Sequence, residues 1–154
     1  RLMDWQRGEA GRRDGERFEQ HTLKRAVALF DGGQGGSPLQ PHVQETLYRW
    51  LAPVYRQGIP DASVDPSLAD IIWWKGEEVV VAEVSLKVDE EDIRRARQRA
   101  DTLRNVDVAA IPVVIGEEWA TGDAQAIAIQ EGVEWMVGRG LSPGFLRFRK
   151  LRSE

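Results

Sequence analysis

Two acidic residues, Asp70 and Glu83, lie within the two most strongly strand-like stretches of the chain and are the residues best suited to chemistry. Side chains alternate between faces along a strand, so Glu83, Ser85 and Lys87 share one face of the strand that contains them. Glu83 interrupts a run of valines. Since an unpaired buried carboxylate costs several kcal/mol, Glu83 needs a partner.

Asp70 is placed to be near that carboxylate. A chain reversal at Gly76 has Asp70 six residues before it and Glu83 seven residues after it, so the two stand nearly opposite each other. Two close carboxylates repel unless a cation lies between them, and Mg²⁺ (or Mn²⁺) accepts such oxygen ligands together with water and substrate phosphate. Lys87 would orient an attacking water or stabilise charge on the phosphate. The predicted catalytic set is Asp70, Glu83 and Lys87.

The elements that must position these residues follow from hydrophobic periodicity and from turn-forming residues. Helices are predicted at 16–30, 43–55, 89–104 and 122–131, and strands at 69–74, 78–87, 108–116 and 133–137. The first two strands form an antiparallel hairpin with Lys75 and Gly76 at its turn. The glycine-rich segment 31–41 is predicted as a loop, and 145–152 as an edge strand or a flexible basic arm.

The helix over 89–104 carries a narrow apolar seam formed by Ile93, Ala96, Ala100 and Leu103, which suits close packing on a sheet. The order of elements predicts an α/β domain of the layered α+β kind, with a central mixed sheet, a β-hairpin core and flanking helices.

The segments Ala69-Asp70 and Glu83-Val84-Ser85 resemble the Pro-Asp and Glu-x-Lys motifs of the PD-(D/E)XK nuclease superfamily. That family has a helix, a short strand, a hairpin that carries the acids, a covering helix and a further strand. The run over 79–104 looks like an uncharacterised bacterial branch with a Glu-Val-Ser strand, which often has a coiled coil before the domain. The resemblance covers about residues 16–116 and implies a restriction-endonuclease-like fold.

The resemblance also implies an acidic metal ligand on the first helix, for which Glu19 is the candidate and Glu45 on the second helix the runner-up. Ser85 departs from the family pattern, because a hydroxyl cannot replace the ammonium of lysine. Lys87 would substitute for it, about 7 Å further along the strand. A cation from the covering helix, Arg95 or Arg97, is the other option, although guanidinium is a poor proton acceptor.

Composition limits the other classes of function. The chain has 154 residues and no cysteine, so disulfides, Cys-ligated zinc and thiol catalysis are excluded. Its apolar runs are far shorter than the ~18–20 residues of a membrane span, and the expected location is the cytoplasm. The net charge is −4, but a local basic stripe suffices for phosphate contacts. The candidate nucleic-acid contacts are Arg95, Arg99, Arg147 and Arg149.

The predicted organisation is the end of a charged helical or coiled-coil extension (1–15), a nuclease-like domain (16–138) and a basic C-terminal tail (139–154). The predicted function is metal-dependent hydrolysis of DNA phosphodiesters, and the N-terminal coiled coil would allow a homo-oligomer. The alternative is a catalytically inactive nuclease-fold module for oligomerisation or for binding protein or nucleic acid. The serine at position 85 favours that alternative.

Overall fold

The computed structural model describes residues 2–154, with side chains from residue 11 onward. The helices are α1 (Leu2–Lys24), α2 (Ala26–Leu29), α3 (Pro41–Tyr55), α4 (Glu90–Arg104), α5 (Ala124–Glu131) and α6 (Pro143–Arg149). The strands are β1 (Gln34–Gly36), β2 (Ile71–Lys75), β3 (Glu78–Val84), β4 (Lys87–Val88), β5 (Ala109–Gly116), β6 (Glu118–Trp119), β7 (Glu134–Val137) and β8 (Gly140–Leu141). Short 3₁₀ turns occupy Ala62–Val64 and Pro66–Leu68.

The main sheet has six strands in the order β1-β2-β3-β5-β7-β8, and β4 pairs with β6 separately. Strands β1, β2 and β3 are antiparallel, whereas β5 is parallel to β3 and β7 is parallel to β5. Parallel neighbours need a crossover connection, and α4 and α5 supply the two crossovers. The predicted mixed sheet with flanking helices is confirmed.

The β2–β3 hairpin is the centre of this sheet. Lys75 pairs with Glu78, so Gly76 and Glu77 form the turn, one residue later than predicted. Gly76 has φ +58°, and glycine is the usual first residue of a type II′ hairpin turn because it adopts positive φ without strain.

Helix α4 covers the hairpin through its predicted seam. Ile93, Ala96, Ala100 and Leu103 are fully buried. The helix begins at a capping box, in which Asp89 accepts the Asp92 amide and the Asp92 side chain accepts the Asp89 amide. Since this box fixes where the helix starts, it also fixes which α4 side chains reach β3.

The two faces of the sheet carry separate apolar cores. Helices α3 and α4 cover one face, through residues that include Leu47, Leu51 and Leu103, packed on Ile72 and Val81. Helices α2 and α6 cover the other face around Phe30. The Phe30 ring stacks on that of Trp73, with 5.4 Å between the ring centroids, and contacts the rings of Phe145 and Phe148.

The glycine-rich segment is not simply a loop, because Gln34–Gly36 pairs with β2 as an edge strand. A Cβ at Gly35 would collide with the carbonyl oxygen of Ile72. The glycine lets two backbones approach closely, a role that composition alone does not separate from flexibility.

The C-terminal segment is a helix, so the prediction of an edge strand or a flexible arm is wrong. Ser142 caps α6 by accepting the Phe145 amide, and Pro143 occupies its first turn. Phe145 and Phe148 are three residues apart and both are buried, as on one face of a helix. In a helix as short as α6, the alternation of apolar and basic residues in the sequence cannot be distinguished from the alternation that is typical of a strand.

The N-terminal helix is longer than the predicted 16–30 and ends earlier. Helix α1 continues unbroken from residue 2 to Lys24, and Arg25 separates it from α2. For the predicted coiled-coil extension, residue 1 and the side chains of residues 2–10 lie outside the described part of the structure. Oligomerisation through that segment stays a prediction.

Lys75, at the end of β2, fastens α6 to the sheet. Its Nζ donates to the carbonyl oxygens of Phe148, Arg149 and Leu151 at 3.0–3.2 Å, and the residue is only 2% exposed. A cation suits the carbonyls at a helix C-terminus. Burial lowers the pKa of Lys75.

We expect Lys75→Met to lower the free energy of unfolding by about 2 kcal/mol, since hydrogen bonds to charged groups are worth ~1.5–3 kcal/mol. Urea denaturation measures the change. Lys87→Met, at an exposed lysine, is the control and should change stability by less than ~0.5 kcal/mol. Equal stabilities for the two variants would contradict this role for Lys75.

Candidate functional site

Asp70 lies one residue before β2, at the end of the sheet where β3 finishes. Its amide donates to the Ala82 carbonyl at 3.1 Å, and its Oδ2 accepts the Val84 amide at 2.8 Å. These bonds fix Asp70 beside Glu83, as the hairpin register predicts. A backbone amide that would otherwise lack a strand partner thus holds one carboxylate oxygen in place.

Glu83 is 4% exposed and faces α4. Its Oε1 accepts Arg99 Nη1 at 2.8 Å and lies 3.9 Å from Arg95 Nε. Arg99 also donates to the Ala62 carbonyl at 2.9 Å. Glu83 Oε2 is buried and has no hydrogen-bond partner within the described part of the chain.

Glu19, on α1, reaches the same end of the sheet. The charge of Asp70 and a side-chain interaction with it both raise the pKa of Glu19, so the two carboxyl groups lie close together. An ionised carboxylate only accepts hydrogen bonds, so carboxylates this close favour a proton or a cation between them. Three elements that are distant in sequence therefore bring Glu19, Asp70 and Glu83 into one acidic cluster, called the carboxylate cluster below.

The carboxylate cluster has perturbed electrostatics. Burial, and then the charge and hydrogen bond of Asp70, raise the pKa of Glu19 to about 7. Burial, followed by the charge of Asp70, raises the pKa of Glu83 to about 7, against the lowering effect of Arg99 and Arg95. Crowded carboxylates with raised pKa values attract either a proton or a cation.

Lys87 does not lie beside Glu83, so its predicted placement is wrong. Strand β3 ends at Val84, and the chain then turns to pair β4 with β6. Lys87 is exposed, with its Nζ 3.7 Å from Glu118 Oε1. Ser85 donates to the Lys87 carbonyl at 3.0 Å. The prediction assumed a continuous strand to residue 87, and the bend after Val84 removes the shared face.

The prediction that Arg99 contacts phosphate is wrong, because this residue is only 6% exposed and its guanidinium is paired with Glu83. Arg147 is exposed but binds both oxygens of Glu78, at 2.7 and 2.9 Å. Arg149 donates to the Leu29 carbonyl at 2.9 Å. Arg95 binds Asp92 at 2.8 Å and Glu91 at 3.3 Å, but it is partly exposed beside Glu83.

Two further residues are alternatives in the sequence analysis, one as a metal ligand and one as a cation. Glu45, the alternative to Glu19, is an exposed residue of α3. Arg97 pairs with Glu131 and Asp101 and not with Glu83.

The sequence analysis does not identify Arg99 as the partner of Glu83, although its position on α4 indicates that it lies near the packed face. It directly precedes Ala100 of the apolar seam and follows Ala96 by three residues, which places it at the margin of the packed face.

A cavity of about 500 Å³ lies between α4 and the turn at Ala62–Val64, next to Glu83. Arg94, Arg95 and Arg99 line it together with Glu90 and Glu91. Because Arg95 faces both this cavity and Glu83 Oε1, a cationic group stands between the carboxylate cluster and solvent.

No three histidine, aspartate or glutamate side chains within the described residues are arranged to hold a metal ion together. Two carboxylates are enough for Mg²⁺ when water and substrate phosphate supply the other ligands. The unpartnered Glu83 Oε2 and the oxygens of Asp70 are of the required chemical type. The donor set therefore fits a divalent ion held by two carboxylates, and not one held by protein ligands alone.

Comparison with known proteins gives no family for this chain: neither a protein-family model, nor a curated protein, nor a solved structure matches it. Among the described helices, none has both the length and the apolar character needed to cross a bilayer.

The buried Arg99–Glu83 pair predicts strong energetic coupling. Removing one partner of a buried pair leaves an uncompensated charge and costs ~3–5 kcal/mol, so we expect Arg99→Met to destabilise by about 3 kcal/mol. Adding Glu83→Gln should restore at least ~1 kcal/mol of that loss. Urea denaturation of both single variants and the double variant measures the coupling.

The exposed Arg94–Glu90 pair, at 2.9 Å and four residues apart on the same helix, is the control for that cycle. Its coupling should be below ~0.5 kcal/mol. Coupling of similar size in the two cycles would contradict a buried, energetically tight Arg99–Glu83 pair.

The raised pKa of Glu19 predicts a pH-dependent stability. Its pKa is about 7 in the folded chain against 4.5 ordinarily, so the protonated form is favoured by folding. That stabilisation is complete below pH 4.5 and is lost as the pH rises through 7. We expect the Tm to fall between pH 5 and pH 8, and to fall less in Glu19→Gln. Calorimetry measures the Tm at each pH.

Glu45→Gln removes an exposed acid of α3 and should keep the pH dependence of the original chain. A Glu19→Gln profile with the same slope as the original would show that the proton is not held at Glu19.

Proposed function

We propose that this chain is a metal-dependent nuclease-like domain that hydrolyses DNA phosphodiesters. The observation that carries the proposal is the carboxylate cluster, in which Asp70 and Glu83 stand side by side and one buried Glu83 oxygen has no partner in the described structure. A buried carboxylate oxygen without a hydrogen-bond partner is costly, and carboxyl groups with strongly perturbed pKa values cluster at functional sites.

The order of elements supports the proposal. An initial helix, a short strand, an acid-bearing hairpin, a covering helix and a parallel strand occur in that order as α1, β1, β2–β3, α4 and β5, with α2, α3 and β4 as additional elements between them. This is the order that the resemblance to PD-(D/E)XK nucleases implies. An activity on cellular DNA agrees with the expected cytoplasmic location.

In the proposed site, Asp70 and Glu83 hold a Mg²⁺ or Mn²⁺ ion. The bound metal would supply Lewis acidity and lower the pKa of water. Glu19, with its pKa of about 7, is suited to accept or return a proton next to Asp70 at neutral pH. Its role as a third metal ligand remains an alternative within the proposal.

Arg95 has the role of phosphate-stabilising cation that the sequence analysis predicted for Lys87. It belongs to the covering helix, it is partly exposed, and its Nε lies 3.9 Å from Glu83 Oε1. A guanidinium binds phosphate oxygens in pairs but does not act as a base. Arg95 would therefore stabilise charge on the phosphate, while proton transfer is left to Glu19 or water.

The direct test is cleavage of supercoiled plasmid DNA with and without Mg²⁺ or Mn²⁺. We expect divalent-dependent nicking that Asp70→Asn reduces by at least the roughly 10–100-fold that loss of a residue supporting a metal ligand costs. The matched control is Asp107→Asn, at an exposed position with φ +64° that asparagine tolerates. Cleavage unaffected by Asp70→Asn would contradict the proposal.

A second function, a catalytically inactive module for assembly or binding, is favoured by Arg99. A guanidinium already neutralises one oxygen of Glu83 at 2.8 Å, and Ser85 supplies no ammonium at the usual lysine position. The two functions differ in the same assay: the inactive module neither nicks plasmid with either metal nor gains thermal stability when the metal is added.

A further inference from the structure

A second candidate site lies at the carboxyl ends of the parallel strands β5 and β7, in a cavity of about 430 Å³. Gly116, the last residue of β5, and Gly138, directly after β7, form part of the wall together with side chains of α1. Open α/β sheets bind ligands at the carboxyl ends of their strands, and small-molecule sites commonly measure ~300–1,000 Å³. Position and size both suit a small ligand.

The cavity carries basic side chains on one side. His21, in the last turn of α1, and Arg25, directly after that helix, both line it and are both exposed. Neither side chain makes a hydrogen bond or an ion pair with another residue in the part of the chain described. Arg17 lines an adjoining cavity that shares Phe18, His21 and Glu117. An unengaged guanidinium beside an imidazole that can donate a hydrogen bond favours a phosphate group.

The remaining wall is mainly apolar, with one acid and with Thr22, whose hydroxyl donates to the Phe18 carbonyl. Phe18 and Met136 are partly buried and pack at the margin of the core built around Phe30. An aromatic ring and a thioether form a surface that suits a flat ring. Glu117 is exposed at the rim, where a carboxylate accepts hydrogen bonds from a ribose hydroxyl, as acidic residues do in dinucleotide sites.

We propose that this cavity binds a mononucleotide, with the phosphate on Arg25 and His21, the base against Phe18 and the ribose beside Glu117. The site is separate from the carboxylate cluster: Phe18 and Met136 belong to the core around Phe30, whereas Glu83 faces α4. The two sites share only α1, which presents Glu19 to Asp70 and His21 to the cavity.

Isothermal calorimetry with AMP, adenosine and inorganic phosphate tests the proposal on the full chain. We expect AMP to bind at least ~10-fold more tightly than either fragment, because only AMP contacts both the basic side chains, Arg25 and His21, and the apolar wall. Arg25→Ala and His21→Ala should each weaken AMP binding by about tenfold, the loss typical of a charged hydrogen bond. Both residues are exposed, so both variants should fold.

Lys24→Ala is the matched control, since Lys24 is an exposed cation on the same helix and is not among the residues that line the cavity. It should leave AMP affinity unchanged. Absence of AMP binding, phosphate binding as tight as AMP binding, or equal losses in Arg25→Ala and Lys24→Ala would each overturn the proposal.

Discussion

The structure depends on how negative charge is balanced at one end of the β2–β3 hairpin. Glu83 is buried among apolar residues, and its carboxylate would be strongly destabilising without Arg99. Asp70 is held next to it by the Val84 amide. Glu19 lies beside Asp70, whose charge adds to burial in raising the pKa of Glu19. The guanidinium of Arg99 balances part of this negative charge by pairing with Glu83.

That balance has a functional consequence. A proton and a divalent cation are alternative ways to neutralise neighbouring carboxylates, so the carboxylate cluster is a place where metal uptake would release protons. Arg99 is fixed by the Ala62 carbonyl and cannot leave easily. Arg95 is partly exposed and can turn to a phosphate. The two arginines, one turn apart on α4, therefore differ: Arg99 is buried and paired, whereas Arg95 is the one that would contact phosphate in the proposed function.

Much of the fold follows from the sequence, because strong local patterns and tertiary packing agree there. The valine-rich β3 and the seam of α4 are examples, and the position of Asp70 beside Glu83 follows from hairpin register alone. The prediction for Lys87 is wrong because the bend after Val84 accompanies the pairing of β4 with β6, whose paired residues are 31 positions apart in the sequence and give no local signal. Arg99 is predicted as a phosphate contact and not as the partner of Glu83, because the burial of a cation depends on tertiary packing.

The most direct measurement is electron paramagnetic resonance of free Mn²⁺ titrated with the protein at pH 8, above the pKa of about 7 of Glu19 and Glu83. We predict that the intact chain removes Mn²⁺ from solution at one site and that Asp70→Asn abolishes this uptake. Mn²⁺ binding that is absent from the intact chain, or that is unchanged in Asp70→Asn, would contradict a metal site built on Asp70 and Glu83.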